Sequence, residues 1–376
     1  MWSKHNRIAV AAVLAAGALC AQEQSLPQNA IKINLPENSP LGFVTMTSDS
    51  RATARGAALI LDLHTSLTLR NTTGQRIHGV TLRVVAQEAT LGGKGSVTYP
   101  SLNVGPGEAL PVRIDMQLLR PSQATGQQLV QVDLDGVLFD NLGFFGPDRL
   151  NSRRVLTACE MEARRDREYF KRILAQGGAP ALAQEMRDSM VRQSEAGQLT
   201  VAVSRAGRNT TSGAPAEHSA EFAFLQFPDS PIEPLKGTAI LSGNEARAPR
   251  IEVRNRGKQP VKYVEMGWIV TDASGRRYMA GSLPSADRDL LLAPGANAPL
   301  LQDTTMNFTA QGRPVQIQHM IGYVNQVEFT DGKVWVPNRE SLATIKVRPP
   351  SAEEQRLASL YHRQGVNALI AELNKY

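Results

Sequence analysis

Between residues 59 and 70 the side chains alternate in character. Leu59, Leu61, Leu63, Leu67 and Leu69 fall on one parity, and Asp62, His64, Thr68 and Arg70 fall on the other. A period of two belongs to a strand with one packed and one wet face, which implies antiparallel sheets. Short runs of the same kind recur at 31–34, 42–46, 77–86, 102–104, 110–116, 129–134 and 137–139, with turn residues between them.

Helical spacing takes over twice. After Asn151-Ser152, which supplies a cap, Leu156, Cys159, Ala163, Phe170 and Ile173 form an apolar stripe. Gly177-Gly178 breaks it, and 179–191 predicts a second helix. Near the other end Pro349-Pro350 stop a strand, Ser351 caps a helix, and Glu354 occupies the capping-box position. Leu357, Leu360, Tyr361, Leu369 and Leu373 are the apolar side of that segment, which Gly365 interrupts.

The two halves repeat one another. Residues 67–86 align without a gap on 251–270: Leu67 meets Ile251, Leu69 meets Val253, and Arg70-Asn71 meets Arg254-Asn255. Val80, Leu82, Val84 and Ala86 meet Val264, Met266, Trp268 and Val270. Asp135-Gly136 and Asp331-Gly332 both lie between apolar runs, where hairpin turns are expected. Pro147-Asp148-Arg149 matches Pro337-Asn338-Arg339, and Gly178, Ala181, Leu182, Glu185 and Met186 match Gly365, Ala368, Leu369, Glu372 and Leu373. A collinear series of this length indicates a duplication.

Seven or eight short strands per copy, with an Arg-Asn turn leading into an alternating strand, resemble the immunoglobulin or fibronectin-III class of exported bacterial sandwich domains. Trp268 stands where such a domain keeps a core tryptophan, although the first copy has Val84 there and the antibody-type disulfide is absent. The whole chain resembles secreted bacterial proteins of uncharacterised role with tandem sandwich domains. The expected class is mainly β with α additions: two tandem Ig-like antiparallel β-sandwiches, each followed by a helical hairpin. The expected bounds are a signal peptide at 1–21, sandwiches at 30–150 and 220–348, hairpins at 151–195 and 351–376, and a linker at 204–219.

Lys4, His5 and Arg7 precede an apolar run, residues 8–19, that is too short to span a bilayer needing roughly 20 residues. Small residues follow, as in a secretory signal peptide. The expected address is therefore exported, periplasmic or extracellular. Cys20 offers a lipid anchor as the alternative, with Leu19 where Gly, Ala or Ser usually stands. Apart from Cys20 the chain has one thiol, Cys159, so the fold is held by its core and not by a disulfide within the chain. Of the 376 residues, 42% are hydrophobic and 20% charged, as in an ordinary globular chain. The 41 Lys and Arg against 35 Asp and Glu are spread along the sequence, which excludes the clustered footprint of a nucleic-acid binder.

No nucleophile elbow, zinc-protease motif or Walker loop is present. Gly92-Gly93-Lys94-Gly95-Ser96 reads as a strand connection. His64, His78, His218, His319 and His362 lack metal-ligand spacing and read as surface histidines. Asp133 and Asp135 suit either a calcium site or a hairpin turn, and the turn is what both copies share. No catalytic, cofactor-binding or metal-binding residue is expected, and the chain reads as a non-enzyme without a cofactor. The segment 153–172 is the most charged. Glu160–Arg164 and Glu168–Arg172 are spaced as i,i+4 pairs on a solvated helix face, and Arg154, Arg164, Arg165, Arg167 and Arg172 are the candidates for docking on an acidic partner or an anionic membrane surface. The expected function is a non-catalytic exported binding or scaffold protein of the cell envelope, whose partner is an envelope protein or polysaccharide. The alternatives are an envelope-polymer hydrolase with an acid pair not visible in sequence, and a periplasmic accessory or sensor subunit of a membrane system.

Overall fold

The alternation at 59–70 becomes the strand Ala58–Asn71, on which Leu61, Leu63, Leu67 and Leu69 are fully buried. One of its edges is taken by Leu41–Ser48 over residues 65–71 and by Arg51–Arg55 over residues 58–62. Ala109–Pro121 covers the other edge along residues 58–70, and every pairing is antiparallel. A second sheet runs in the order Phe144–Phe145, Val130–Phe139, Ile77–Val85, Lys94–Tyr99, with Ile31–Asn34 parallel to Val130–Phe139. The computed structural model describes residues 23–122, 128–195, 198–205, 217–284, 290–301, 304–343, 345 and 350–376. The expected signal peptide with Cys20 lies outside the described residues, as does the centre of the expected linker, 206–216.

The second copy repeats these pairings. Val261–Asp272 lies between Arg277–Pro284 and Ile317–Phe329, and Val334–Trp335 closes a hairpin on Ile317–Phe329. Ala223–Phe224 runs parallel to Ile317–Phe329, as Ile31–Asn34 runs parallel to Val130–Phe139. The aligned Val264, Met266, Trp268 and Val270 are all buried, and Trp268 meets the Phe222 ring edge-on at 4.7 Å. Strands also enter the segment expected as linker. Gln198–Arg205 pairs with Thr304–Ala310, and His218–Glu221 pairs with Ile232–Ser242. Among the described residues the chain is mainly β, with several antiparallel sheets and three α-helices: α1 (Ser152–Glu195), α2 (Arg339–Ala343) and α3 (Ala352–Leu373).

Asp135-Gly136 is not a turn, which corrects the sequence reading. It lies inside the single strand Val130–Phe139. The turn of the first copy is at 139–143, where Phe139 N donates to Gly143 O and Leu142 N to Phe139 O. Phe329 N to Lys333 O and Gly332 N to Phe329 O are the matching bonds in the second copy. The Asp135 carboxylate instead receives Arg149 N at 3.0 Å, Leu150 N at 3.1 Å and the Ser152 hydroxyl, so it fastens the entry of α1. Gly136 is small for a packing reason, since a Cβ there would lie 2.5 Å from the Phe144 ring.

The chain forms two compact units. One takes the chain up to Thr72 with Leu82–Val97 and Gly107–Leu134; the other takes Thr73–Thr81, Thr98–Pro106 and Asp135–Tyr376. All three helices belong to the latter. α1 bends at Gly178 (φ 65°, ψ −166°) and α3 at Gly365 (φ 79°, ψ −177°). These are matched glycines of the repeat, in the region of positive φ that side chains disfavour. The six fully buried residues between the helices are also matched: Phe170 with Leu357, Leu182 with Leu369, and Met186 with Leu373. The two hairpins therefore do not each serve their own copy. Neither could cover its apolar stripe alone, and each buries it against the other.

Two stability changes follow, both read by urea denaturation. Leu357→Ala should cost about 2–5 kcal/mol, the range for truncating a fully buried leucine. Gly365→Ala should cost on the order of 1–2 kcal/mol from backbone strain alone, because nothing lies within 4 Å of the added Cβ. A Leu357→Ala loss below about 1 kcal/mol would contradict the shared core.

Candidate functional site

Segment 153–172 was expected to face water, but part of it is turned inward. Glu160, Asp166 and Arg167 are buried, together with Glu353 and Glu354 of α3 and Arg339 of α2. Buried charges persist where they are paired and hydrogen-bonded, and these are. Asp166 accepts from Arg165 Nε at 2.9 Å, Arg339 Nη1 at 2.9 Å and Ser351 Oγ at 2.6 Å. Glu354 accepts from Arg339 Nη1 at 2.9 Å and from Ser189 Oγ at 2.6 Å. Ser351 caps α3 as the sequence predicts, through Glu354 N at 3.0 Å. The Glu354 side chain goes to Arg339 and Ser189.

The five candidate arginines separate. Arg167 bridges Glu160 at 2.9 Å and Glu353 at 3.3 Å and lies 3.9 Å over the Tyr376 ring; its side chain is 4% exposed. Arg165 holds Asp166 and donates to Pro337 O at 3.0 Å. Arg154 stacks on Tyr263 at 3.6 Å and lies 3.7 Å from Glu328. Arg164 makes the expected i,i+4 bond to Glu160 at 2.8 Å and also reaches Asp140 O. Arg172 is the most exposed of the five at 53%, 3.5 Å from Glu340 of α2.

A cavity of about 400 Å³ opens beside this network. Arg76 and His78 line it from the start of strand Ile77–Val85, Asp140 from a turn, and Glu160, Arg164, Arg167, Glu168 and Lys171 from α1. Lys375 and Tyr376 line the remaining side. The surface reading of His78 is corrected here, because the residue is 5% exposed. Gly79 explains the burial: a Cβ there would meet Leu156 Cδ2 at 2.7 Å, so the glycine lets α1 press onto the strand and cover its neighbour. His78 Nδ1 lies 3.0 Å from Glu160 Oε1 as an ion-pair contact, and among the described residues neither ring nitrogen has an aligned hydrogen-bond partner. Glu160 Oε2 is likewise buried without one. Burial alone would raise the Glu160 carboxyl, but His78, Arg167 and Arg164 hold it below the ordinary carboxylate range. Burial pushes the Tyr376 phenol up to about 12, so it stays neutral.

Two other groups bear on chemistry. Ser101 has a positive φ of 55°, and its buried hydroxyl has no hydrogen-bond partner among the described residues. Cys159 is a free thiol that burial pushes up to about 12. Asp133 faces Arg83 at 3.4 Å and accepts from Asn34 at 3.0 Å, while Asp135 fastens α1, so the two carboxylates serve different partners.

No protein-family model matches the chain, and no curated protein matches it. Among solved structures it shows slight similarity to a β-glucosidase from Kluyveromyces marxianus, at 8% identity and a TM-score of 0.15, covering 72% of this chain and 45% of that one. The chain thus spans less than half the length of that enzyme. It is also similar to a protein named pT26-6p, at 10% identity and a TM-score of 0.14, covering 88% and 73%. A two-domain protein of unknown function from Bacteroides fragilis follows at 6% identity and a TM-score of 0.10, covering 74% and 92%. Likenesses this slight carry no argument about fold or activity.

The carboxyls predict two pH limbs. Burial pushes half-buried Glu162 up to about 7, Arg165 opposes the rise, and Asp166 and Glu265 add to it. Its stabilisation is complete below the ordinary carboxylate pKa and is lost as pH rises through 7, because the unfolded chain releases that proton first. Glu160, Asp166 and Glu372 are held low, so their stabilisation is lost as pH falls below the ordinary range. Glu162→Gln should therefore gain on the order of 1 kcal/mol relative to the parent chain between about pH 5 and pH 8. Its acid limb should be unchanged. Urea midpoints at the two pH values check this, and an unchanged difference would contradict it.

Proposed function

We propose that the chain is a non-catalytic exported binding or scaffold protein of the cell envelope, with two tandem Ig-like sandwiches whose helical tails are interlocked. The observation that carries this reading is the core shared by matched residues of the two hairpins, backed by the paired charges around it. A duplication whose tails pack on each other spends its most charged helical segment on internal rigidity. That suits a part that holds surfaces in fixed relation, and not one that closes over a substrate. Sheet edges can then present backbone groups to a partner strand. Arg172, beside Glu340 and the most exposed of the five candidate arginines, is the one of them open to an acidic envelope protein or polysaccharide.

The test is crosslinking of intact native-host cells that express the tagged chain, followed by identification of what co-purifies from the envelope fraction. The expected outcome is a saturable partner whose yield falls several-fold for Arg172→Glu, a substitution that leaves the buried network in place. A chain recovered alone, at saturating crosslinker and with its fold intact by circular dichroism, would contradict the proposal.

A further inference from the structure

The cavity beside His78 has the makings of a site for a small ligand. Its volume of about 400 Å³ falls within the range of small-molecule sites, roughly 300–1,000 Å³. Among its lining side chains five Lys and Arg stand against three Asp and Glu. Half-buried Arg76 and Lys171 and exposed Lys375 form its rim: Arg76 donates to Asn103 Oδ1, Lys171 to Tyr376 O and Lys375 pairs with Glu372, each at 2.7 Å, and each cation keeps further N–H donors for an anion. The inner end is different. His78 is 95% buried, its Nδ1 lies 3.0 Å from Glu160 Oε1 without an aligned hydrogen bond, and its Nε2 and Glu160 Oε2 have no hydrogen-bond partner among the described residues. Buried polar atoms left in this state are costly and are normally satisfied by something.

These two ends ask for different chemistry. Glu160 Oε2 is an acceptor and calls for a donor. The His78 ring accepts or donates according to its tautomer. A hydroxyl does both, and a sugar offers several hydroxyls apart from its anionic group, whereas hydrogen phosphate carries its one or two P–OH groups on the same atom as its charge. The rim cations call for negative charge. We propose that this pocket binds a small hydroxylated anion, a monosaccharide carrying a phosphate or a carboxylate. Its hydroxyls meet Glu160 Oε2 and His78, and its anionic group meets Arg76 and Lys171. The assignment does not depend on where the chain works or on which macromolecule it holds.

Isothermal titration of the full chain near neutral pH tests it, with four probes: glucose 6-phosphate, glucuronate, glucose and inorganic phosphate. The expected result is that glucose 6-phosphate or glucuronate binds at least about tenfold more tightly than glucose and inorganic phosphate. Which of the two binds decides between phosphate and carboxylate as the anionic group. Arg76→Ala and Lys171→Ala should each weaken that binding about tenfold or more, while Arg113→Ala, outside the cavity, should leave it unchanged. His78→Ala should abolish the preference for the sugar over inorganic phosphate. Should that variant fail to fold, Arg76→Ala and Lys171→Ala carry the test. Inorganic phosphate binding as tightly as either sugar would mean an adventitious ion only and would overturn the proposal. So would an absence of binding by both anionic sugars, with water alone satisfying the buried atoms, or binding that survives both rim substitutions.

Discussion

Six buried side chains, three from α1 and three from α3, are the contact on which the rest of the helical part depends. Each is the repeat counterpart of another, so the core is built from two copies of one stripe facing each other. Fully burying a side chain of this size is worth about 1.5–3 kcal/mol, and the six together outweigh what either short hairpin could gain alone. Isolated helices of one or two dozen residues are marginal in water, and packing of the apolar face is what holds them. The bend at Gly178 and Gly365 is the backbone condition for this arrangement, because both arms of each helix must fall on the same neighbour.

Once that core forms, the charges around it lose water and must find one another. Asp166 and Glu354 share Arg339, and Glu160 and Glu353 share Arg167. Removing one member of such a set strands its partner, so the network constrains geometry more than it adds stability. Arg339 belongs to α2 and Asp166 to α1, which ties the chain after Val334–Trp335 to the helix before it. The same packing presses α1 onto the strand at Gly79, buries His78 against Glu160, and leaves the cavity open beside them. The candidate pocket is thus a consequence of the helical core.

The strands were legible because a half-buried strand writes its period into the sequence, as at Leu61, Leu63, Leu67 and Leu69. The matched helical residues were legible as a repeat. Their mutual packing was not, since an alignment says that two positions are alike and not that they touch. Asp135-Gly136 carried the signature of a turn for unrelated reasons: the aspartate fastens α1 and the glycine makes room for Phe144. His78 sits beside polar Gln75 and Arg76, so nothing local marked it as buried, and the cover comes from a helix some eighty residues later. Glycine next to that histidine was the available clue. The cavity draws on residues 76–78, 140, 160–171 and 375–376, which no local motif could have joined.

Native-state amide hydrogen exchange at low denaturant tests the shared core most directly. If α1 and α3 form one cooperative unit, amides flanking Phe170, Leu182, Leu357 and Leu369 exchange through a single opening, with one free energy and one denaturant dependence. Protection in α1 that persists while α3 opens at a clearly lower free energy would contradict the account.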